Sequence, residues 1–321
     1  MRKLLAFAVC GALALGAAAC GNDDDNGGGG GGGGGGDLSG SIKIDGSSTV
    51  APFAQAAQEE FQGENPGVKI TVGTSGTGGG FEKFCAGETD ISDASRPIKP
   101  DEEAPICKKK GIDYYEIQVA NDGIAVVTNK DMTVDCLTTA QLGKVWNKGS
   151  KVKSLSEVGS GLPDTQLKLF GPDTDSGTFD FFTEQINGEE GVSREDYQPS
   201  ADDNILVQGV AGSDGGLGYF GFSYYEQNQD KLNLVGVGES GGKCIKPSTE
   251  TIQSGQYKPL SRPLFMYPSA KALKRPEVKA FLNYVVDNYQ AIANASQIVP
   301  MTQEQADQSK QELQKDESSA G

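Results

Sequence analysis

Histidine is missing from all 321 residues. That omission removes Ser-His-Asp and Cys-His nucleophilic machinery and the usual zinc ligand sets. The serine-rich loops of this chain are therefore poor nucleophile candidates, with only a Ser-Lys arrangement left open. Positive charge is also scarce: 28 Lys and Arg against 44 Asp and Glu give a net charge of −16. Phosphate backbones are bound through a basic face, so nucleic acid is excluded as a partner. The same charge repels anions at long range, and any anion site must work through short-range hydrogen bonds. No G-x-x-x-x-G-K-S/T run occurs, which excludes a nucleotide P-loop. No cysteine spacing matches a zinc site. Nothing in the sequence calls for a metal or a cofactor.

Hydrophobic residues make up 36% of the chain, enough for a real core in one large domain or two ordinary ones. The first apolar run, Leu4 to Ala19, is too short to span a membrane stably and follows Arg2 and Lys3. Residues 1–19 therefore read as an export signal. Cys20 comes directly after the small residues of "GAAAC", followed by "GNDDDN" and ten glycines, Gly27 to Gly36. Residues 20–37 behave as a flexible tether. The arrangement resembles a bacterial lipoprotein signal, with Ala17 where a leucine is common and Cys20 as the lipidated first residue of the mature chain. Cys10, behind bulky Val9, fits worse. The resemblance implies a palmitate-type lipid anchor holding the protein on the extracytoplasmic face of the cell membrane. Four cysteines remain, Cys85, Cys107, Cys136 and Cys244, an even number that in an exported chain suggests disulfides with three possible pairings.

Three stretches repeat one pattern: an alternating run, then a Ser/Thr/Gly cluster, then a helical run. The first is "SIKID", "GSSTV", and Phe53, Ala57 and Phe61 at helical spacing. The second is "VKITV", "GTSGTGGG", and Phe81 and Phe84. The third is "LKLF", "GPDTDSGT", and Phe179, Phe182 and Ile186. Strand, glycine-rich turn and helix form the βα unit of an α/β protein. In open α/β sheets, ligands bind beyond the carboxyl ends of the strands, so three hydroxyl-bearing helix starts could converge there. Each start alone is explained by helix capping. The three successive glycines of "TSGTGGG" exceed what capping needs and suit a close backbone approach. "GGLGYFGFSYY" reads as a buried strand or turn, and "PEVKAFLNYVVDNYQAI" as a core helix through Val278, Phe281, Val285 and Ile292. Residues 302–321 are almost wholly polar and read as a solvated or frayed tail.

In order along the chain, "DGSSTVAPF", "TSGTGGGF", "TDISDASRPI", "ANDGIAVVTN", "DSGTFDFFTE" and "GGLGYFGFSYY" resemble the motifs of periplasmic-type phosphate-binding proteins, the receptor subunits of the high-affinity phosphate ABC importer. The resemblance covers roughly residues 40 to 300. It implies an α/β, two-lobed periplasmic-binding-protein-like fold (type II) with a hinge. Lobe one is then 38–119 plus 262–301, and lobe two is 120–261. It also implies a non-catalytic, monomeric receptor whose partners are inorganic phosphate and membrane permease subunits. Ser48 and Thr49 match the first phosphate loop, Ser75 the second, and Ser176, Gly177 and Thr178 the third, where a helix start meets an anion. Two positions depart from the best-known pattern. Pro172 stands where many members have an arginine, and Ser95 where many have an aspartate. Arg96 is then the residue expected to fork onto the ligand beside Ser95. Asp122, or failing that Asp93, is expected to accept the proton phosphate still carries. Pairing each cysteine with its neighbour gives Cys85–Cys107 and Cys136–Cys244, one in each implied lobe. Two other readings are a lipid-anchored phosphatase with a Ser or Asp nucleophile, and an adhesin or signalling ectodomain on the same fold.

Overall fold

The computed structural model describes residues 38–239 and 242–320. The predicted signal peptide, Cys20 and the glycine tether lie outside them. The three strand–loop–helix units form as the periodicity predicts. β1 (Gly40–Gly46) feeds α1 (Ala51–Glu64), and β2 (Val68–Gly73) feeds α2 (Gly76–Cys85). β3 (Ile91–Ala94) leads to α3 (Glu103–Lys110), then to the long β4 (Ile117–Asn129). β5 (Cys136–Thr138) and α4 (Thr139–Trp146) precede the third unit, β6 (Lys168–Pro172) and α5 (Gly177–Phe182), which continues as a π-helical turn, Thr183–Asn187. Then come β7 (Gln198–Ser200), α6 (Asp203–Ala211), β8 (Gly216–Gly221), α7 (Phe222–Glu226), β9 (Leu232–Gly238) and α8 (Thr249–Gln253). β10 (Ser261–Pro268) is followed by α9 (Pro276–Asp287), α10 (Tyr289–Ala295) and α11 (Gln303–Ala320). The predicted core helix is thus two helices meeting at Asn288, with Val278, Phe281, Val285 and Ile292 all buried.

One mixed sheet runs β2-β1-β3-β10-β4-β8-β6-β7, with β9 on β4 and β5 on β9. β4 joins its two ends. Residues from Ile117 to Gly123 pair antiparallel with β10, and from Ile124 to Asn129 β4 pairs with β8 and β9. The core changes at the same place. Ile117, Val119 and Ala120 belong to a cluster built on Phe53, Phe61 and Phe281, whereas Ile124 to Val127 belong to one built on Trp146, Phe182 and Tyr219. The return strand repeats the switch: Leu260 lies in the second cluster, Leu264 and Met266 in the first. Two cores joined by two crossing strands make a two-lobed periplasmic-binding-protein-like fold. A smaller cluster, Phe81, Phe84, Phe265 and Tyr267, includes Cys85 and Cys107. These two cysteines stand at bonding distance, tying α2 to α3, and Cys136 and Cys244 do the same between β5 and the segment after β9.

The crossing carries polar residues whose bonds are all accounted for. The Asn121 amide nitrogen donates to the Pro300 carbonyl (3.1 Å) and the Gln305 side chain (3.0 Å). Gln253, from α8, donates to the same Pro300 carbonyl at 2.9 Å, and Gln305 donates back to the Gln253 carbonyl at 3.1 Å. These contacts correct the expectation for residues 302–321. They form α11, an eighteen-residue helix rather than a frayed tail. Its buried stripe is Ala306, Ser309 and Leu313, two small residues and one leucine, and a face that narrow leaves almost no hydrophobic signal.

Candidate functional site

The loop after β1 places Ser47, Ser48 and Thr49 ahead of α1. Val50 is the N-cap residue and contributes no capping side chain, so Ser48 and Thr49 do not cap the helix. The α2 start behaves likewise: Ser75 is its N-cap residue but makes no capping bond. Its backbone N–H and its hydroxyl both donate to Asp45 Oδ1 instead, at 3.0 and 2.5 Å. Lys83, on α2, donates to the other oxygen of Asp45 at 2.6 Å. Only at α5 is the cap conventional, with Ser176 Oγ accepting from the Thr178 N–H at 3.2 Å. The α1 and α5 starts press together. A Cβ on Gly177 would lie 2.1 Å from Thr49 Oγ1 and 2.6 Å from Ser48 Oγ, so only glycine permits the approach.

Arg262, on β10, occupies the centre of this convergence. Its Nε donates to Asp122 Oδ2 (3.2 Å), its Nη1 to Ser95 Oγ (3.0 Å) and its Nη2 to Thr49 Oγ1 (2.8 Å) and the Gly177 carbonyl (3.2 Å). The guanidinium carbon lies 3.8 Å from the centre of the Phe181 ring. Burial pulls the guanidinium below its ordinary value while Asp122 opposes the shift. One buried cation thus gathers hydroxyls from the first loop and from the end of β3, a carboxylate from the crossing strand and a carbonyl from the third loop.

Two cavities flank the contact. One, of about 380 Å³, is lined by Thr49, Ser75, Thr77, Ser95, Arg262 and Asp180 among others. The second, of about 310 Å³, shares Ser48, Thr49 and Gly177 with the first and adds Asp122, Ser176 and Thr178.

This arrangement of hydroxyl-bearing loops around a cleft has relatives. Residues 32–288 match the family described as a PBP superfamily domain. Protein SphX of Synechococcus elongatus is 46% identical over 262 residues, spanning 81% of this chain and 77% of that protein. The phosphate-binding protein PstS of Staphylococcus saprophyticus is 43% identical over 251 residues, 78% of this chain and 76% of the relative. A possible phosphate binding protein from Planctomyces limnophilus, known as a crystal structure, is 48% identical with a TM-score of 0.81, covering 87% of this chain and 99% of its own. The chain belongs to the PBP superfamily.

Within this PBP superfamily chain the expected site residues divide. Ser48, Thr49, Ser75, Ser95, Arg96 and Gly177 line the larger cavity, whereas Asp122, Ser176 and Thr178 line the adjoining one. Arg96 lies at the cavity wall, but its fork is closed on Glu103, at 3.0 and 2.6 Å. The Glu103 bond raises Arg96 above its ordinary value. Burial pushes Glu103 up, yet the Arg96 fork and the Lys99 N–H outweigh it and hold the carboxyl below the usual range. The guanidinium expected to meet a ligand is therefore already paired. Asp93 lines neither cavity. It is fully buried, both its oxygens lack partners, and burial, then the neighbouring Asp45, raises its carboxyl well above the ordinary value. Asp122 turns its Oδ2 to Arg262. A carboxylate that the sequence reading did not single out, Asp180, faces the larger cavity from the first turn of α5. Burial and then Glu190 push it up to about 6, with Arg262 opposing.

Arg262 was missed as well. It lies in "SRPL", where the implied lobes meet between residues 261 and 262 and nothing else marks the run. Its place opposite Asp122 of "NDG" in the strand register is the feature that singles it out. The family to which the chain belongs with these relatives is non-enzymatic, and among the described residues no cluster of acidic or sulfur side chains could hold a metal.

Proposed function

We propose that this protein binds inorganic phosphate in the cleft between its two lobes, outside the cytoplasmic membrane, and delivers it to the permease of an ABC importer. The observation that carries the reading is Arg262, buried beneath a small polar cavity and hydrogen-bonded to loops from both lobes. An anion there is met by dense short-range donors, which the acidic surface requires of any anion site. Because guanidinium only donates, Thr49 and Ser95 accept from it, and the Thr49 proton is left to point at a ligand while the Ser95 hydroxyl also pairs with Thr77 Oγ1 at 3.0 Å. The names of the relatives, phosphate-binding protein among them, support phosphate as the anion.

Lobe one in this proposal is 38–119 plus 262–301 with α11 added, and lobe two is 120–261. Ser48, Thr49, Ser75, Ser95 and Gly177 contact the ligand together with Arg262. Arg96 shapes the wall through Glu103. Asp122 orients Arg262, and Ser176 and Thr178 shape the third loop from the adjoining cavity. Cys20, outside the described residues, carries the lipid anchor. The test is calorimetric titration of the purified protein with phosphate, together with an assay for hydrolysis of a phosphate ester. Saturable one-to-one binding without turnover is expected. Turnover would replace the receptor with a phosphatase, and absence of anion binding would leave the adhesin or signalling reading.

A further inference from the structure

The hydroxyls around the larger cavity do not share one polarity, and the difference rests on which partner each one has. Asp45 is held as a carboxylate: burial raises it, but Lys83 and the two Ser75 bonds outweigh that and bring it below its ordinary value. A carboxylate only accepts. Both short contacts from Ser75 end on Asp45 Oδ1, so the Ser75 hydroxyl proton is committed there. Only the lone pairs of Ser75 Oγ remain for the cavity that Ser75 lines. Thr49 is the opposite case, accepting from Arg262 and keeping its proton to give. Space for the arrangement is made on β2, where a Cβ on Gly73 would stand 2.5 Å from Asp45 Oδ2. The Asp45 side chain is only 14% exposed, so its bonds are partly shielded from water.

Resting on the phosphate reading, we infer that Ser75 serves the site as a hydrogen-bond acceptor, and that Asp45, fixed by Lys83, is the positioning residue that sets this polarity. The ligand class it selects is a tetrahedral oxyanion that still carries a proton. Monohydrogen phosphate has an O–H to give to Ser75. Sulfate at neutral pH has none, and would face those lone pairs with an oxygen that cannot donate. A neutral hydroxyl thus does what the sequence led us to expect of Asp122 or Asp93, neither of which lines this cavity.

The experiment titrates the full-length protein, in detergent, with inorganic phosphate and with sodium sulfate, for the parent, Asp45→Asn, Ser75→Ala and Asp180→Asn. An amide at position 45 can donate to Ser75 Oγ and free its proton for the ligand. Asp45→Asn is therefore expected to weaken phosphate, strengthen sulfate and lower the phosphate-to-sulfate affinity ratio about tenfold. A merely structural loss would weaken both anions alike. Ser75→Ala is expected to weaken phosphate with no loss of sulfate binding, and it keeps the inference testable if Asp45→Asn does not fold. Asp180→Asn is expected to leave the ratio unchanged. Parental ratios in both Asp45→Asn and Ser75→Ala would overturn the inference, as would a ratio that collapses only in Asp180→Asn. In those outcomes the parent still binds phosphate, whereas a parent that binds none overturns the proposed function itself.

Discussion

Arg262 stands opposite Asp122 in the antiparallel register of β10 and β4, its Nε 3.2 Å from Oδ2, where the chain passes from one core to the other. The pair therefore belongs to the crossing and to the cleft at once. Asp122 keeps the guanidinium in place while both terminal nitrogens reach loops of the two lobes.

Removing that guanidinium should be the most damaging single change at the site. Arg262→Ala is expected to weaken phosphate by about 2 to 5 kcal/mol, since Asp122 is left without its partner and the anion without its cation. Arg262→Lys restores only part, because an ammonium cannot address Ser95, Thr49 and Asp122 in one plane. Arg96→Ala should cost about 1 kcal/mol or less, its fork being spent on Glu103. Isothermal titration ranks the three, and an Arg96→Ala loss equal to that of Arg262→Ala would contradict the ranking.

Asp180 gives the binding a pH dependence. With its carboxyl pushed up to about 6, it is mostly ionised at pH 7.5 and mostly protonated at pH 5. An ionised carboxylate in the cavity opposes an anion. Asp180→Asn is expected to raise phosphate affinity at pH 7.5, with the advantage disappearing by pH 5. Titrations at the two pH values decide it, and an advantage equal at both would exclude the charge as its cause.

Asp93 has a signature in stability. Its folded-state value lies above the unfolded one, so its contribution is fully present below the ordinary carboxylate range and is lost as pH rises towards the raised value. Asp93→Asn removes that titration. The melting temperature of the variant relative to the parent is expected to increase steadily from pH 4 upwards. Parallel melting curves across that range would show that Asp93 does not titrate differently on folding.

Leu313 is the fully buried anchor of α11. Leu313→Ala is expected to lower stability by about 2 to 5 kcal/mol, the usual cost of a buried leucine truncation. Chemical denaturation measures it, and a change within the range of a surface substitution would mean that α11 is not docked.

Anchoring is separable from all of these. Two or more acyl chains give stable membrane attachment where one is marginal. Cys20→Ala protein with its signal removed is expected in the soluble fraction after cell disruption. Retention with the membranes would place the anchor elsewhere.

Much of the site was legible because its parts are local. A strand, a Ser/Gly turn and a helix follow one another within some twenty residues, so Ser48, Thr49, Ser75 and Gly177 could be named from spacing and family motifs. Arg262 could not, since its partners Asp122, Ser95, Thr49 and Gly177 are 140, 167, 213 and 85 residues away. The Arg96–Glu103 fork was overlooked for a different reason: the two are near in sequence, but nothing in "SRPIKPDEE" says that the chain folds back on itself. The α11 helix was hidden by its composition, as Ser309 counts as polar until its partner Met301 is seen.

The knot at Asn121 also sets an order of events. Its amide is completed by Pro300 and Gln305, 179 and 184 residues further along the chain. Contacts so distant in sequence close long loops at an entropic cost, and Asn121 cannot complete them until α11 exists. A nascent chain ending before α11 lacks the partners for Asn121 and leaves bare the surface that Leu313 covers, so it carries a mark of incompleteness at the very joint that holds the two cores together. Closing the joint between the two cores thus waits until α11 has been made.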